Sequence, residues 1–256
     1  MLCSIIISNY NKSKYLNRCL LSAIRQTYKN IEIIFSDNGS SDNSIEIVKK
    51  FETIKIIKTD RSTKYSALNQ IEVILKGFKE SSGDYIFLLD SDDFFETDKV
   101  QKIIDFRCLN NFEFISDVPR LYIDENNSKV FKTEKILNFL RSWPIIFPTS
   151  SISFSRSFFI NFKNYLFENK FEKLEIDARL NFFSHIQNKK NLFKDKILTN
   201  YNQTNDGIMS EYKKFNSVWW KKRLQAHMYL HEIQYLNKKR VFKNLDYYVT
   251  KFINKF

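Results

Sequence analysis

Tyr85-Ile86-Phe87-Leu88-Leu89-Asp90-Ser91-Asp92-Asp93 passes from five apolar residues to three carboxylates within four positions. A run without alternation reads as a strand buried on both faces, the pattern of a parallel sheet covered by helices. Ligands of such sheets sit outside the carboxyl ends of the strands, where Asp90, Asp92 and Asp93 fall. Like charges this close repel unless a cation or a hydrogen-bonded ligand compensates them. The cluster therefore points to a metal-nucleotide complex, with a solvated acidic turn as the plainer alternative.

Two further runs repeat the arrangement upstream. Cys3-Ser4-Ile5-Ile6-Ile7-Ser8 ends in Asn9-Tyr10-Asn11, and Ile31-Glu32-Ile33-Ile34-Phe35-Ser36 ends in Asp37-Asn38-Gly39-Ser40-Ser41-Asp42. Three strands thus deliver polar or aromatic groups to one edge. Helical patterns fill the intervals over 14–26, 41–51, with Ser41 or Asp42 as cap, and 65–80. A strand is expected over 54–59, and Asp98 can cap a helix running to Asn110. This β-α-β-α order predicts a three-layer α/β/α domain with a mostly parallel central sheet and right-handed crossovers. Beyond it the pattern predicts short strands near Phe114 and Leu121 and a turn over 124–127. Helices follow from about Thr133, Asp177 and Met209, with a strand over 197–201.

At 256 residues and 43% hydrophobic, with 25 Phe and 13 Tyr against four Gly and three Pro, the chain can bury a sizeable core and is not disordered. Cys3, Cys19 and Cys108 are odd in number, dispersed and set in apolar stretches, which predicts reduced core thiols in a reducing compartment. The first strand begins almost at Met1, leaving no room for a secretory leader, and no window approaches the roughly twenty apolar residues of a spanning helix. The expectation is a protein made and kept in the cytoplasm. A net charge of +12 suits nucleic acid, an anionic membrane face or a phosphorylated substrate. Lys and Arg become dense from Lys189 onward, interleaved with aromatics, as in Trp219-Trp220-Lys221-Lys222-Arg223.

Four stretches, taken in order, carry a resemblance: Ser4 to Asn11, Gln26-Thr27-Tyr28-Lys29-Asn30-Ile31-Glu32-Ile33-Ile34, Ser36 to Asp42, and Gly83 to Asp93. Together they resemble the inverting family-two glycosyltransferases of GT-A fold, of the bacterial surface-glycan type. The resemblance implies transfer from a UDP-sugar, with a dTDP-sugar as second choice, to a glycan or lipid-linked acceptor. It implies a GT-A catalytic domain over 1–205, with a nucleotide-binding half over 1–110 and an acceptor-binding half over 111–205. A basic, amphipathic helical extension over 206–256 would follow.

The resemblance also gives positions their roles. Tyr10 would lie against the nucleotide base, where an aromatic face supplies apolar contact, or else pack in the core. Asp37 would accept the imide hydrogen of uracil or thymine, or close the turn before the next helix. Asp90 would reach the ribose, with Ser91 beside it in the nucleotide site. Asp92 would meet the divalent cation on the diphosphate, Mn²⁺ or Mg²⁺ because every ligand is oxygen, with Asp93 in support. Arg61, Lys64 and Asn69 fall near the diphosphate or sugar, and Arg61 is preferred because its forked donors match phosphate oxygens.

An inverting displacement also needs a carboxylate to take the acceptor proton. The family presents it in a Glu-Asp pair at a helix start. Here the corresponding text is Leu174-Glu175-Ile176-Asp177-Ala178-Arg179-Leu180, in which Ile176 splits the pair. Asp177 is chosen because it precedes the apolar pattern Leu180, Phe183, Ile186 at first-turn distance, with Glu175 as rival. Pro148 to Arg156 resembles the acceptor-side segment. Where relatives place a histidine near the metal, this chain has Tyr201-Asn202-Gln203-Thr204-Asn205. His227 and His231 read as structural helix residues.

Val241, Leu245, Tyr248, Val249, Phe252 and Phe256 make an apolar stripe among lysines. It suits an anionic leaflet, packing on the domain, or a homodimer partner. Two competing functions remain. A catalytically silent nucleotide-sugar binder shares every motif. A nucleic-acid-binding protein would use the positive charge but leave the acids at three strand ends without purpose, so no nucleic acid is expected.

Overall fold

The stretch quoted first is a strand, β4 (Tyr85–Asp90), in which Tyr85 to Leu89 are wholly buried. The computed structural model describes residues 1–122, 127–131, 144–167, 170–202 and 213–255. In chain order it opens with β1 (Cys3–Asn9), α1 (Ser13–Ile24), β2 (Ile31–Asp37), α2 (Ser44–Val48), β3 (Ile54–Lys58) and α3 (Ser66–Lys79) ahead of β4. Then come β5 (Phe94–Phe95), α4 (Lys99–Asn110), β6 (Phe114–Asp117), β7 (Arg120–Tyr122) and β8 (Ser128–Val130). After a 3₁₀ turn at Thr149–Ser151 follow β9 (Ile152–Ser155), α5 (Arg156–Lys163), α6 (Ile176–Ile186), β10 (Lys190–Phe193) and β11 (Thr199–Asn202). The chain closes with α7 (Ser217–Leu236) and α8 (Leu245–Ile253).

The central sheet has the order β10-β6-β9-β4-β1-β2-β3. β1, β2, β3 and β4 run parallel to one another, and β9 lies antiparallel between β4 and β6. Side-chain alternation sends Ile5, Ile7, Phe87 and Leu89 to the α1 side, against Leu16, Leu20 and Ala23. Ile6, Ile86 and Leu88 go to the other side, against Ile71 and Ile74 of α3 and the phenylalanines of α5 and α6. β1 and β4 are therefore covered twice, which is why their sequences show no polar face, whereas β3 at the edge exposes Lys55 and Lys58. A second sheet, β5-β11-β7-β8, stands beside the carboxyl ends of the first.

The expected three-layer α/β/α architecture is what the chain forms, with small shifts that have local causes. The helix expected over 41–51 is only Ser44–Val48, because Asp42 turns back to accept from Ser13 N at 2.9 Å and so caps α1, while also accepting from Ser44 N at 3.0 Å. The helix expected from about Thr133 and most of the turn over 124–127 lie outside the described residues, as do Gln203 and Phe256. The helix expected from Met209 is described only from Ser217. Cys3 and Cys19 are buried as expected, but Cys108 is exposed, because it lies on the outer face of α4.

α6 begins where a buried guanidinium gathers the preceding chain. Arg179 donates to Leu174 O at 2.9 Å, Phe171 O at 2.8 Å, Lys170 O at 3.1 Å and Leu166 O. These carbonyls have no strand or helix partner of their own, and one planar fork satisfies them together. α7 packs on the outer face of α6 through Tyr229, Leu230 and Ile233 against Ala178, Phe182 and Ile186. α8 packs on α7 in turn.

Candidate active site

Parallel register brings the three strand ends into one row: Ser8 lies opposite Asp90, and Asn9 opposite Asp37. Asp37 is buried, and its Oδ1 accepts from Asn9 Nδ2 at 2.7 Å and Ser40 Oγ at 2.6 Å. Its Oδ2 accepts from Ser40 N at 2.9 Å. The turn it closes needs Gly39 at φ 69°, in the left-handed region, with Thr59 O only 3.3 Å from where a Cβ would stand. Asn11, at φ 50°, laces this turn to the one after β1, its Oδ1 accepting from Ser41 N at 2.8 Å. Tyr10 projects from that lace, 40% exposed, with the Arg61 guanidinium 4.1 Å from its ring centre. Two residues assigned to nucleotide binding thus meet.

At the end of β4, Asp90 Oδ1 accepts from Ser8 Oγ at 2.5 Å and Gln70 Nε2 at 3.0 Å. Burial pushes its pKa up to about 6, Asp92 adding to the rise and the hydroxyl and amide donors opposing it. Asp93 is wholly buried, accepting from Ser150 Oγ at 2.5 Å and Asn202 N at 2.7 Å. Burial, then the charges of Asp92 and Asp90, hold its proton affinity well above the ordinary carboxylate range. Asp92 pairs with Lys12 at 3.1 Å. Ser91 is buried and its N–H donates to Ser8 O at 3.0 Å.

Behind this turn, Ser150 is a junction. Its Oγ accepts from Asp90 N at 2.9 Å while donating to Asp93, and its carbonyl accepts from Lys99 Nζ at 2.6 Å. Lys99 also reaches Asp117 Oδ1 at 2.7 Å and Thr199 Oγ1 at 2.5 Å, all three groups being buried. A single ammonium thus ties α4, β6, β11 and the 3₁₀ turn to the acid cluster.

Facing the cluster is the first turn of α6. Asp177 is half-buried and accepts from Ala178 N at 2.6 Å. Burial and then the neighbouring Glu175 raise its pKa to about 7, Lys222 opposes the shift, and the charge of Asp90 acts in the same direction as Glu175. Glu175 is buried and ion-paired to Lys222 of α7. Tyr201 is kept protonated by burial, and by the charges of Asp93, Asp177, Asp90 and Asp92 in that order, so its phenol lies within electrostatic reach of all four carboxylates.

Sequence reasoning missed Gln70, Lys12, Lys99 and Tyr201. Gln70 was open to discovery, since it precedes the core residue Ile71 early in a helix whose start lies at the carboxyl edge of the sheet. The others are defined by long-range partners and carry no local signal. Asn69 turns away from the edge: Nδ2 donates to Thr63 O at 2.8 Å and Oδ1 accepts from Thr63 N at 3.2 Å, pinning the loop before α3. Lys64 is exposed.

A displacement that expels an anionic leaving group and removes a proton suits this arrangement: donors and an aromatic face at one end of the edge, crowded acids in the middle, and a high-affinity carboxylate opposite. The family described as Glycosyl transferase family 2 matches residues 4–170. An uncharacterized glycosyltransferase of Haemophilus influenzae is 35% identical over 144 residues, covering 54% of this chain and 56% of that protein. S. aureus TarS superposes with a TM-score of 0.66 at 16% identity, over 89% of this chain and 39% of its own. Its 1–349 fragment in complex with UDP-GlcNAc gives 0.61 at 12% identity, over 90% and 66%. The mannosyltransferase PcManGT from Pyrobaculum calidifontis, in complex with GDP-Man and Mn2+, gives 0.60 at 13% identity, over 91% and 64%. These likenesses show a shared GT-A fold. The chain spans about half the length of the Haemophilus relative and smaller shares of other curated relatives that it matches.

Proposed function

This chain belongs to glycosyl transferase family 2, and from that premise we propose that it transfers a sugar from a nucleoside-diphosphate donor to a glycan or lipid-linked hydroxyl with inversion. The observation that carries the reading is that two carboxylates from distant parts of the chain lie within electrostatic reach of each other. Asp90 ends β4, Asp177 starts α6, and each is buried enough to bind protons near neutrality. One half of such a site holds the leaving group and the other accepts a proton.

Asp177 is the base. Its rival Glu175 is committed to Lys222, whereas Asp177 has a proton affinity matched to neutral pH. The acceptor hydroxyl gives its proton to Asp177 as its oxygen forms a bond to the anomeric carbon. The bond from that carbon to the diphosphate oxygen breaks on the opposite face, and the nucleoside diphosphate leaves with the electron pair. Tyr10 and Arg61 receive the base and diphosphate. Asp37 receives the pyrimidine imide, because a carboxylate offers about four acceptor sites and the turn uses three of them. That preference selects a uracil or thymine nucleotide, UDP or dTDP.

A divalent cation fits this donor set. Among the described residues no group of three or more His, Cys, Asp or Glu could hold a metal by itself. Mg²⁺ of the phosphotransfer type needs only about one or two carboxylates beside substrate phosphates. Burial raises the pKa of Asp90 and the charge of Asp92 adds to the rise, a second contribution that a cation would relieve. Asp92, with Asp90 behind it, would hold Mn²⁺ or Mg²⁺, whose positive charge would stabilise the departing diphosphate.

A panel of nucleotide sugars, assayed for hydrolysis and transfer with Mn²⁺ or with EDTA, tests the reading. Turnover of a UDP-sugar that EDTA removes is expected. Asp177→Asn should lower it by about 10²–10⁴-fold while UDP binding persists. UDP binding without turnover of any donor would make the chain a silent binder, and an unimpaired Asp177→Asn would move the base elsewhere.

A further inference from the structure

α8 is amphipathic in the direction opposite to that of a helix buried in a core. Its inward face is small and polar: Tyr247 and Thr250 are buried on α7, and Asp246 takes a two-pronged bond from Arg223, at 3.0 Å from Nε and 2.6 Å from Nη2. Asn254 Nδ2 donates to Trp220 O at 3.0 Å and fixes the far end. Of the apolar stripe read from the sequence, Leu245, Tyr248, Val249 and Phe252 face out. Leu245 is 65% exposed, Phe252 62%, and Phe242 just ahead of the helix 63%, with Tyr248 and Val249 also exposed. At the start of α7, next to the end of α8, Phe215 is 71% exposed and leans on Trp219 and Trp220. Leu245, Tyr248 and Phe252 thus turn most of their surface to solvent.

The charge on this part of the chain is equally one-sided. Residues 213–255 hold eleven Lys and Arg against two acids. Both acids are spent internally, Asp246 on Arg223 and Glu232 on Lys170 at 3.0 Å. Lys221, Arg240, Lys243, Lys251 and Lys255 are exposed around the apolar groups.

We propose that the α7–α8 face is a docking surface for an anionic phospholipid bilayer. Aromatic and aliphatic side chains enter the headgroup boundary and the surrounding lysines meet lipid phosphates. A second copy of the chain is disfavoured because the same positive field would oppose itself. Nucleic acid answers the charge but gives Leu245, Val249 and Phe252 no apolar medium. The surface is anchored to the site: Lys222 in α7 holds Glu175, two residues before Asp177, and Gln225 Oε1 accepts from Lys173 N at 2.8 Å. A docked molecule would present its acceptor side at a fixed angle to the bilayer. The proposal stands on α7 and α8 alone and does not depend on the transfer reaction.

Co-sedimentation with vesicles of phosphatidylglycerol and phosphatidylcholine, against pure phosphatidylcholine, tests it, with circular dichroism as the check on folding. Binding to the anionic vesicles only is expected. Leu245→Ser with Phe252→Ser should weaken it by about tenfold or more. Lys251→Glu with Lys255→Glu should weaken it without touching an apolar group, and nucleotide-sugar turnover in free solution should be unchanged in both. Equal binding to neutral vesicles, no vesicle binding with a concentration-dependent dimer in sedimentation velocity, or retention on duplex DNA alone would each overturn the proposal.

Discussion

Asp177 holds its proton to about pH 7 in the folded chain against an ordinary value of 3.8, and two outcomes follow from the sign of that shift. As a base it works only when deprotonated, so kcat/KM should rise with pH through about 7 and level off above it, as a pH-rate profile would show. In stability the effect is reversed. A carboxyl whose folded pKa is raised stabilises the fold below the unfolded pKa, and that contribution is lost as pH climbs through the folded pKa. Asp177→Asn removes the charge, so its melting temperature should gain on the wild type at pH 8 and match it near pH 4. Thermal melts at the two pH values measure this, and a constant difference would mean that burial is not the cause. At this scale the sequence was readable where position follows from a strand end, as for Asp37 and Asp90, which end β2 and β4, and Asp92 just beyond. It was unreadable where the role is set by a partner far along the chain. Lys99 reaches Thr199 across a hundred residues and nothing in its flanking residues marks it, whereas Gln70, which reaches Asp90 across twenty, is marked only by its place early in α3.

Among the elements, α4 carries the most consequential single side chain. Lys99→Met keeps the shape but leaves Asp117 buried without its cation, which should cost about 3–5 kcal/mol in urea unfolding. Adding Asp117→Leu should recover part of that loss, since a buried pair replaced whole is far less costly than one broken. The approach of β1 to β4 depends on Gly83, where a Cβ would stand 2.3 Å from Ser4 Oγ and 2.7 Å from Ser4 N. Because the second contact is backbone, Gly83→Ala must push the strands apart. We expect a loss of more than about 2 kcal/mol, measurable in the same unfolding experiment. Elements of the first 110 residues were legible because each βα unit is local and its strands are buried on both faces. The second sheet was less so: β7 was expected near Leu121 and β11 over 197–201, but β5 and β8, two and three residues long, were not. Length and period carry no signal in runs that short.

Across the whole molecule, the site sits at the carboxyl edge of a double-sided α/β core, to which α7 is packed through α6, while α8 outside it is held by few groups. Hydrogen exchange should follow that division: amides of β1 and β4 exchange only on global unfolding, while those of α8, resting on Asp246, Tyr247 and Thr250, exchange first. Equal protection in both would mean that α8 belongs to the cooperative core. The basic extension was legible in composition, but its outward apolar face was not, because a stripe reads the same whether it meets the core or a surface. The position of β9 in the central sheet bears on how the chain is made. β1 to β4 leave the ribosome first, and the open edge of β4 must wait for Ile152–Ser155 while β6, made earlier, settles one strand further out. At translation rates of about 5–20 residues per second that wait is on the order of 3–13 s. During it the nascent chain carries an unpaired apolar strand beside a competitor that would close the sheet in the wrong order. Yield on overexpression should therefore depend on a chaperone that shields nascent chains, more than on the stability of the finished fold.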